Sequence, residues 1–259
     1  MIFPRVIAKL FKDGTLRAGD RVLVVCGGKR DRDVLFENGF RNVTITNVDT
    51  EVRSELAPFI WEHQDVENLT YPDRAFDVVM VNDGLHHCYS PHRGLLEMYR
   101  TAARVVVVFE NRDSLALNVA KRLGLTDDYE IEAVTFSGYE SGGVGNSRIP
   151  NYIYRWMERD VEKTIRSYAP QYQPHLRFFY GLELPMARLR GSNQSLARLA
   201  LLFLAPALKL LSIALPKQGN EFGFVIEKKE RLQPWLTETD GIIAVDRKVT
   251  QDMGRAPPV

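Results

Sequence analysis

The chain has 259 residues, of which 45% are hydrophobic and 26% charged. That is the composition of a globular protein long enough to bury a sizeable core, and it excludes a disordered chain. Lys+Arg at 34 against Asp+Glu at 33 leaves a formal net charge of +1, so no global field favours nucleic acid. The two cysteines, Cys26 and Cys88, form neither a metal-ligand spacing nor a disulfide framework and suit a reducing, cytoplasmic setting.

The first residues, MIFPRVIAKLFKDGTL, hold no long unbroken apolar run and no small-residue cleavage site. They read as a short amphipathic helix with Ile7, Leu10 and Phe11 on one face, not as a signal peptide. Residues 21–28, RVLVVCGG, read as a strand buried on both faces and ended by glycines. A helix is expected over 31–38, stopped near Gly39, and a β-branched strand over 43–48, ending at Asp49. Residues 55–62 read as helical, and 65–69 as a loop or short strand. FDVVMVN (76–82) and RVVVVFE (104–110) read as strands. Between them 91–103 reads as a helix with Leu95, Leu96, Met98 and Tyr99 inward, and 114–123 reads as a helix closed by Gly124. Strands alternating with helices imply right-handed βαβ units and a mostly parallel sheet, an α/β fold.

Beyond residue 135 the pattern changes. SGYESGGVGNS (137–147) is Gly- and Ser-rich and suits either a surface linker or a mobile lid. A charged helix is expected over 157–168, with Glu162 and Arg166 at the supportive i,i+4 spacing. Strands follow at 176–182 and 221–228, with an apolar helix over 195–215 between them, and a loose end over 250–259. No internal repeat is present.

Four segments carry chemistry. In Cys26-Gly27-Gly28-Lys29-Arg30-Asp31 the glycines let backbone approach a ligand at a helix start, although the G-x-G-x-x-G dinucleotide fingerprint is absent. Asp49 lies 21 residues after Gly28, a spacing that suits ribose hydroxyls; helix capping is its other reading. In DVENL (65–69), a carboxylate could accept from an exocyclic amine and the Val66 amide could donate to a ring nitrogen; a plain polar loop is the alternative. NDGLHH (82–87) ends a strand, where ligands of open α/β sheets bind, and its adjacent histidines are candidates for a general base. No metal is expected there, because adjacent residues rarely converge on one ion and no carboxylate–His cluster of the usual spacing accompanies them.

VLVVCGG, TNVD and DVENLTYPDRAFDVVMVNDGLHH, in this order over roughly residues 20–110, resemble the class I S-adenosylmethionine-dependent methyltransferases, in particular the group with a D-A-E-x-L-P-F segment and an L-H-H ending. The resemblance implies a seven-stranded, mostly parallel sheet with helices on both faces and a helical insertion before the last strand. It implies one domain, with a core over about 19–135, a substrate region over about 136–220 and a last strand and tail over 221–259. By the same resemblance the cofactor is S-adenosylmethionine. Gly27 and Gly28 would face its methionine part, Asp49 its ribose, Asp65 and Val66 its adenine, and Asn82 its amino-acid end. The chain departs from the pattern at Val24 and Val25, where many members carry an acidic residue, and at Cys26, where glycine is usual; Asp31 is the candidate replacement contact for the amino group. Some sugar O-methyltransferases of this superfamily use a His–carboxylate pair, which implies His86 or His87 as base and Glu110, at the next strand end, as its partner.

Specificity in such enzymes resides in additions to the core. Tyr139, Tyr152, Tyr154 and Trp156 read as an aromatic substrate wall, with Arg155 for an anionic group, or else as core. The helix LARLALLFLAPALKLLSIAL (196–215) is about long enough to span a bilayer at ~20 residues, but Arg198, Lys209 and Pro206 argue against a span. Five basic residues (Arg188, Arg190, Arg198, Lys209, Lys217) and no acidic one lie between 184 and 217. The helix suits ordinary packing, peripheral contact with a membrane's inner face, or a homodimer interface. The expected reaction is methylation of a small-molecule, sugar or lipid-linked hydroxyl. The rival readings are a nicotinamide-dependent oxidoreductase and a non-catalytic module of the same fold that docks on a partner or membrane.

Overall fold

The computed structural model describes residues 2–49, 53–122, 126–184 and 195–252, with backbone alone for 195–204 and 250–252. Gly124, Arg188, Arg190 and most of the tail read as loose lie outside the described residues, as does the side chain of Arg198.

The apolar runs of the sequence become the strands β1 (Val22–Val24), β2 (Val43–Asn47), β3 (Ile60–His63), β4 (Phe76–Asn82), β5 (Ala102–Asn111), β6 (His175–Gly181) and β7 (Glu221–Glu227). They form one seven-stranded sheet in the order β3-β2-β1-β4-β5-β7-β6. β1 to β5 pair in parallel, while β7 runs antiparallel to both β5 and β6. The pair read from 176–182 and 221–228 is thus the antiparallel closing edge. The segment read as a helix over 55–62 is instead a 3-10 turn at Ser54–Leu56 followed by β3. Pro58 has no amide to donate to a helix, and Ile60 and Trp61 suit an edge strand paired to Thr44 and Ile45.

Alternate strand residues feed opposite faces. On one face Val22, Val24, Ile45, Val78, Met80, Val105 and Val107 pack with α1 (Phe3–Lys12) and α2 (Lys29–Glu37). On the other Leu23, Val25, Val79, Val81, Val106 and Val108 pack with α3 (Pro91–Thr101) and α6 (Glu158–Tyr168). In α1 the buried residues are Phe3, Val6, Ile7 and Leu10, and Phe11 packs edge-on to Phe40 at 5.6 Å. In α6 the Arg166–Glu162 contact is 2.9 Å. Between β5 and α6 lie α4 (Leu115–Arg122) and α5 (Ile131–Phe136), and between β6 and β7 lies α7 (Ser195–Ala214). A hairpin of β8 (Leu236–Thr239) and β9 (Ile242–Val245), then α8 (Arg247–Asp252), follow the sheet.

The chain leaves β1 toward β2 and returns on the other side at β4. This reversal opens a crevice at the carboxyl ends of β1 and β4, the place where open α/β sheets bind ligands.

Trp156 anchors the second core, fully buried against Phe224 at 5.8 Å and His92 at 4.9 Å between ring centroids. Trp156→Ala is expected to cost about 3–5 kcal/mol of stability. Urea unfolding checks this, as a lower midpoint at an unchanged slope.

Candidate active site

The turn after β1 begins at Cys26, whose φ is +51°, the left-handed region that favours glycine. The glycine missing from the family pattern is therefore missing at a backbone position that wants one. Gly27 is tightly packed: a Cβ there would lie 2.6 Å from Ile45 Cγ2. Gly28 faces open space, where a Cβ would meet nothing within 4 Å, and it opens α2. Asp31 is buried, and its Oδ2 accepts the Gly28 amide at 2.9 Å. Burial raises its carboxyl to about 6. Its observed contact is thus the helix start itself.

The second turn, after β4, touches the first. A Cβ on Gly84 would lie 2.5 Å from Cys26 Cβ, and Arg30 Nη1 pairs with Asp83 Oδ2 at 3.7 Å. Asn82 is half-buried at the end of β4, in register with Phe109. Asp49 follows β2; its Oδ2 accepts from Arg53 and its Oδ1 from Asn146 Nδ2 at 3.1 Å. Asp65 is exposed, and its Oδ1 caps the next turn by accepting the Glu67 amide at 2.9 Å; Val66 beside it is buried.

Glu110, one residue before the end of β5, is 2% exposed and accepts three hydrogen bonds. Oε1 takes the Gly84 amide at 3.0 Å and the Leu85 amide at 2.6 Å, and Oε2 takes His86 Nδ1 at 2.7 Å. The pairing of His86 with Glu110 expected from sequence is present. With Nδ1 donating, His86 directs Nε2 toward Glu130 Oε2 at 3.4 Å, and His87 Nε2 lies 3.4 Å from that same oxygen. The ligand atoms of His86, His87 and Glu130 all lie within 4.8 Å of one another, a convergence the sequence spacing does not show. Asn151, 1% exposed, donates Nδ2 to the His86 carbonyl at 3.1 Å and to Glu130 Oε2 at 3.4 Å.

The two imidazoles are driven apart. Burial opposes charge on His86, but Glu110 and then Glu130 outweigh it and hold its pKa well above 6.5. Burial and the charge of His86 push His87 below 6.5. The hydrogen bond from His86 brings Glu130 down to about 2.

Residues 137–147, read as a linker or lid, form a built loop over this crevice. Gly143 N donates to Ser147 O at 2.8 Å and Val144 N to Ile149 O at 2.9 Å. A Cβ on Gly145 would meet the Tyr89 ring at 2.6 Å, and Asn146 reaches Asp49.

The expected aromatic wall is dispersed. Trp156 is core, and Tyr154 packs on it at 5.0 Å. Arg155 is committed to Asp128 Oδ1 at 2.7 Å and to the Asp127 carbonyl, so it is not free for an anionic group. Tyr152 pairs with Tyr129, and Tyr139 stands 66% exposed. Sequence reading missed Glu130, Asn151, Asn146 and Arg53; none sits in a recognisable motif, and the fold alone brings them in.

The family described as Methyltransferase domain matches residues 23–105. That span holds all but the first residue of β1, then β2 to β4, both turns and Asp49. The fold is that of the class I S-adenosylmethionine-dependent methyltransferases. The cofactor of that domain is S-adenosylmethionine. Among solved structures, the fold is similar to a putative methyltransferase from Bacillus halodurans (14% identity, TM-score 0.51, 86% of this chain and 98% of that one). It is also similar to a chain in the complex between the Haloferax volcanii Trm112 methyltransferase activator and the putative methyltransferase (12% identity, TM-score 0.50, 82% and 83% covered). A third is the YcgJ protein of Bacillus subtilis (11% identity, TM-score 0.50, 86% and 95% covered). No curated protein matches the chain.

His86 is a buried cation between two carboxylates, and the sign of its pH effect follows from its raised value. Its contribution to stability is full below pH 6.5 and is lost as pH rises through the folded-state value. Glu110→Gln keeps the shape and removes the charge. It is expected to cost about 3 kcal/mol near pH 6, with the penalty shrinking toward alkaline pH. Thermal unfolding of both proteins across a pH series measures the difference.

Proposed function

We propose that the protein transfers the methyl group of S-adenosylmethionine to a hydroxyl of a small-molecule, sugar or lipid-linked acceptor, with His87 as the base. The observation that carries this reading is the contact between the two turns, Gly84 against Cys26. It places the glycine turn beside a histidine cluster at one sheet edge.

The residues fit the cofactor. Open space lies above Gly28 at the start of α2, and Asp49 offers a half-buried carboxylate at the end of β2. Gly27 and Gly28 would hold the methionine part and Asp49 the ribose, exchanging Arg53 and Asn146 for the sugar hydroxyls. Asp65 and Val66 would hold the adenine and Asn82 the amino-acid end. Bound there, the cofactor supplies an electrophilic methyl on a good leaving group, so the chief task left to the protein is alignment.

His86 and His87 divide the work. His86, charged and fixed by Glu110, holds Glu130 and lowers the proton affinity of its neighbour. His87 stays neutral near pH 7, with its side chain 32% exposed. Its Nε2 takes the acceptor's proton, and Glu130 stabilises the resulting imidazolium. Glu110 is the positioning residue of this set. Asn146 and Gly143 close the crevice against water over Asp49 and His87.

Calorimetric titration with S-adenosylmethionine should show binding that Asp49→Ala weakens about tenfold or more, the loss of charge-assisted hydrogen bonds. His87→Ala should leave that affinity within about twofold. It should lower transfer of radiolabelled methyl to a panel of sugar hydroxyl acceptors by about 10²–10⁴-fold. The rate should rise with pH along a limb whose midpoint lies below 6.5. Chelator treatment should leave it unchanged. No cofactor heat, or turnover indifferent to His87, would overturn the reading.

A further inference from the structure

The helix α7 is 20 residues long and leads into β7 through a 3-10 turn at Pro216–Gln218. Its second half turns a broad apolar face to solvent: Leu210 is 69% exposed, Leu211 47%, Ile213 77% and the following Leu215 53%. Positions 210, 211, 213 and 214 span about 160° of the helix surface, while Ala205, Leu208 and Ser212 on the opposite side are half-buried. An exposed apolar face this wide belongs against an apolar medium.

The charge along this stretch of chain is of one sign. No acidic residue occurs from 184 to 220, and Lys209 stands exposed among the leucines. Its apolar stem can lie along the helix while its ammonium reaches an anionic headgroup. Among the described residues no helix is long and apolar enough to cross a membrane. The fitting placement is therefore shallow, in the headgroup and upper acyl region.

The helix also ends where the chemistry is. Asn111 pairs with Glu221 and Glu110 with Phe222, so the chain coming off α7 enters the sheet beside the carboxylate that fixes His86. Arg112 Nε donates to the Lys217 carbonyl at 2.7 Å, and the Ala116 amide to Gln218 Oε1 at 3.1 Å. That second contact ties α4 to the foot of α7. α4 buries none of its residues and exposes Leu115 (73%) and Val119 (47%). Two apolar elements thus flank one corner of the active edge.

We propose that α7 and α4 seat the enzyme on an anionic bilayer surface and bring its crevice to an acceptor anchored in that bilayer. This rests on the methyl-transfer reading above and narrows its acceptor to a lipid-linked hydroxyl. Docking itself is measured without turnover.

The experiment is flotation of the full chain with vesicles of phosphatidylcholine alone and of phosphatidylcholine with phosphatidylglycerol. A Leu210→Glu/Ile213→Glu double variant and Lys209→Glu run alongside, and calorimetry with S-adenosylmethionine tests each protein. Wild type should float with the anionic vesicles, less so at high salt. The double variant should lose about tenfold or more in partition, as two exposed aliphatic side chains become charged. Lys209→Glu should lose several-fold on anionic vesicles only. Cofactor affinity should be unchanged throughout, because none of these residues lines the crevice. A wild type that stays at the bottom of the gradient, or variants that float equally well, would overturn the proposal. So would a dimer that the double variant dissociates without any flotation of wild type. Flotation without cofactor binding would overturn the methyl-transfer reading and leave the docking in place.

Discussion

The site depends on one buried carboxylate. Glu110, next to the end of the longest strand of the sheet, gives its two oxygens to three donors, the amides of Gly84 and Leu85 and the Nδ1 of His86. A buried charge is tolerable only when it is paired and hydrogen-bonded, and here the partners are the turn that carries the chemistry. The same contacts fix the orientation of the His86 ring and the path of the chain after β4. From that point His86 can hold Glu130, and Glu130 can hold His87, so an ordered line of charge runs from the core to the crevice.

The crevice is closed by parts remote in sequence. Asn146 comes from the insertion after β5, yet it donates to Asp49 after β2, on the far side of the reversal between β1 and β4. Gly143 of the same loop acts on the other half, favouring the charged form of the His87 ring. One loop therefore bears on the proposed ribose contact and on the proposed base together. The insertion acts as a roof whose two supports are the two halves of the site.

Most of the framework was legible because it is written in short-range patterns. Runs such as VLVV, VTITN and VVVVF admit one reading as buried parallel strands, and the glycine turn, Asp49 and the histidine pair fall at strand ends. Residues 55–62 misled because helix and edge strand differ there by little more than Pro58 and two β-favouring side chains. The aromatics at 152–156 misled for another reason: nothing local tells a pocket-lining ring from a core ring, and Trp156 lies wholly inside. Glu130 and Asn151 could not be found at all, since their role exists only once α5 folds back over the turn after β4. Conversely, the odd residue in the glycine turn was visible as a departure, and its positive φ supplies the physical meaning.

That cysteine has a wider consequence. A side chain in the left-handed region costs roughly 1 kcal/mol relative to an ordinary conformation, so the turn at Cys26 does not hold its shape by its own preference. Its neighbours impose it: Gly84 closes on the Cys26 side chain from above, and the Met80 carbonyl takes the amide of Val25 just before it. Shape imposed from outside lasts only as long as the neighbours stay. The glycine turn and the histidine turn are thus one cooperative unit with a common local-unfolding free energy. Amide protons on both should exchange with deuterium at a single shared opening rate, as if residues 26–28 and 84–87 were one short piece of chain.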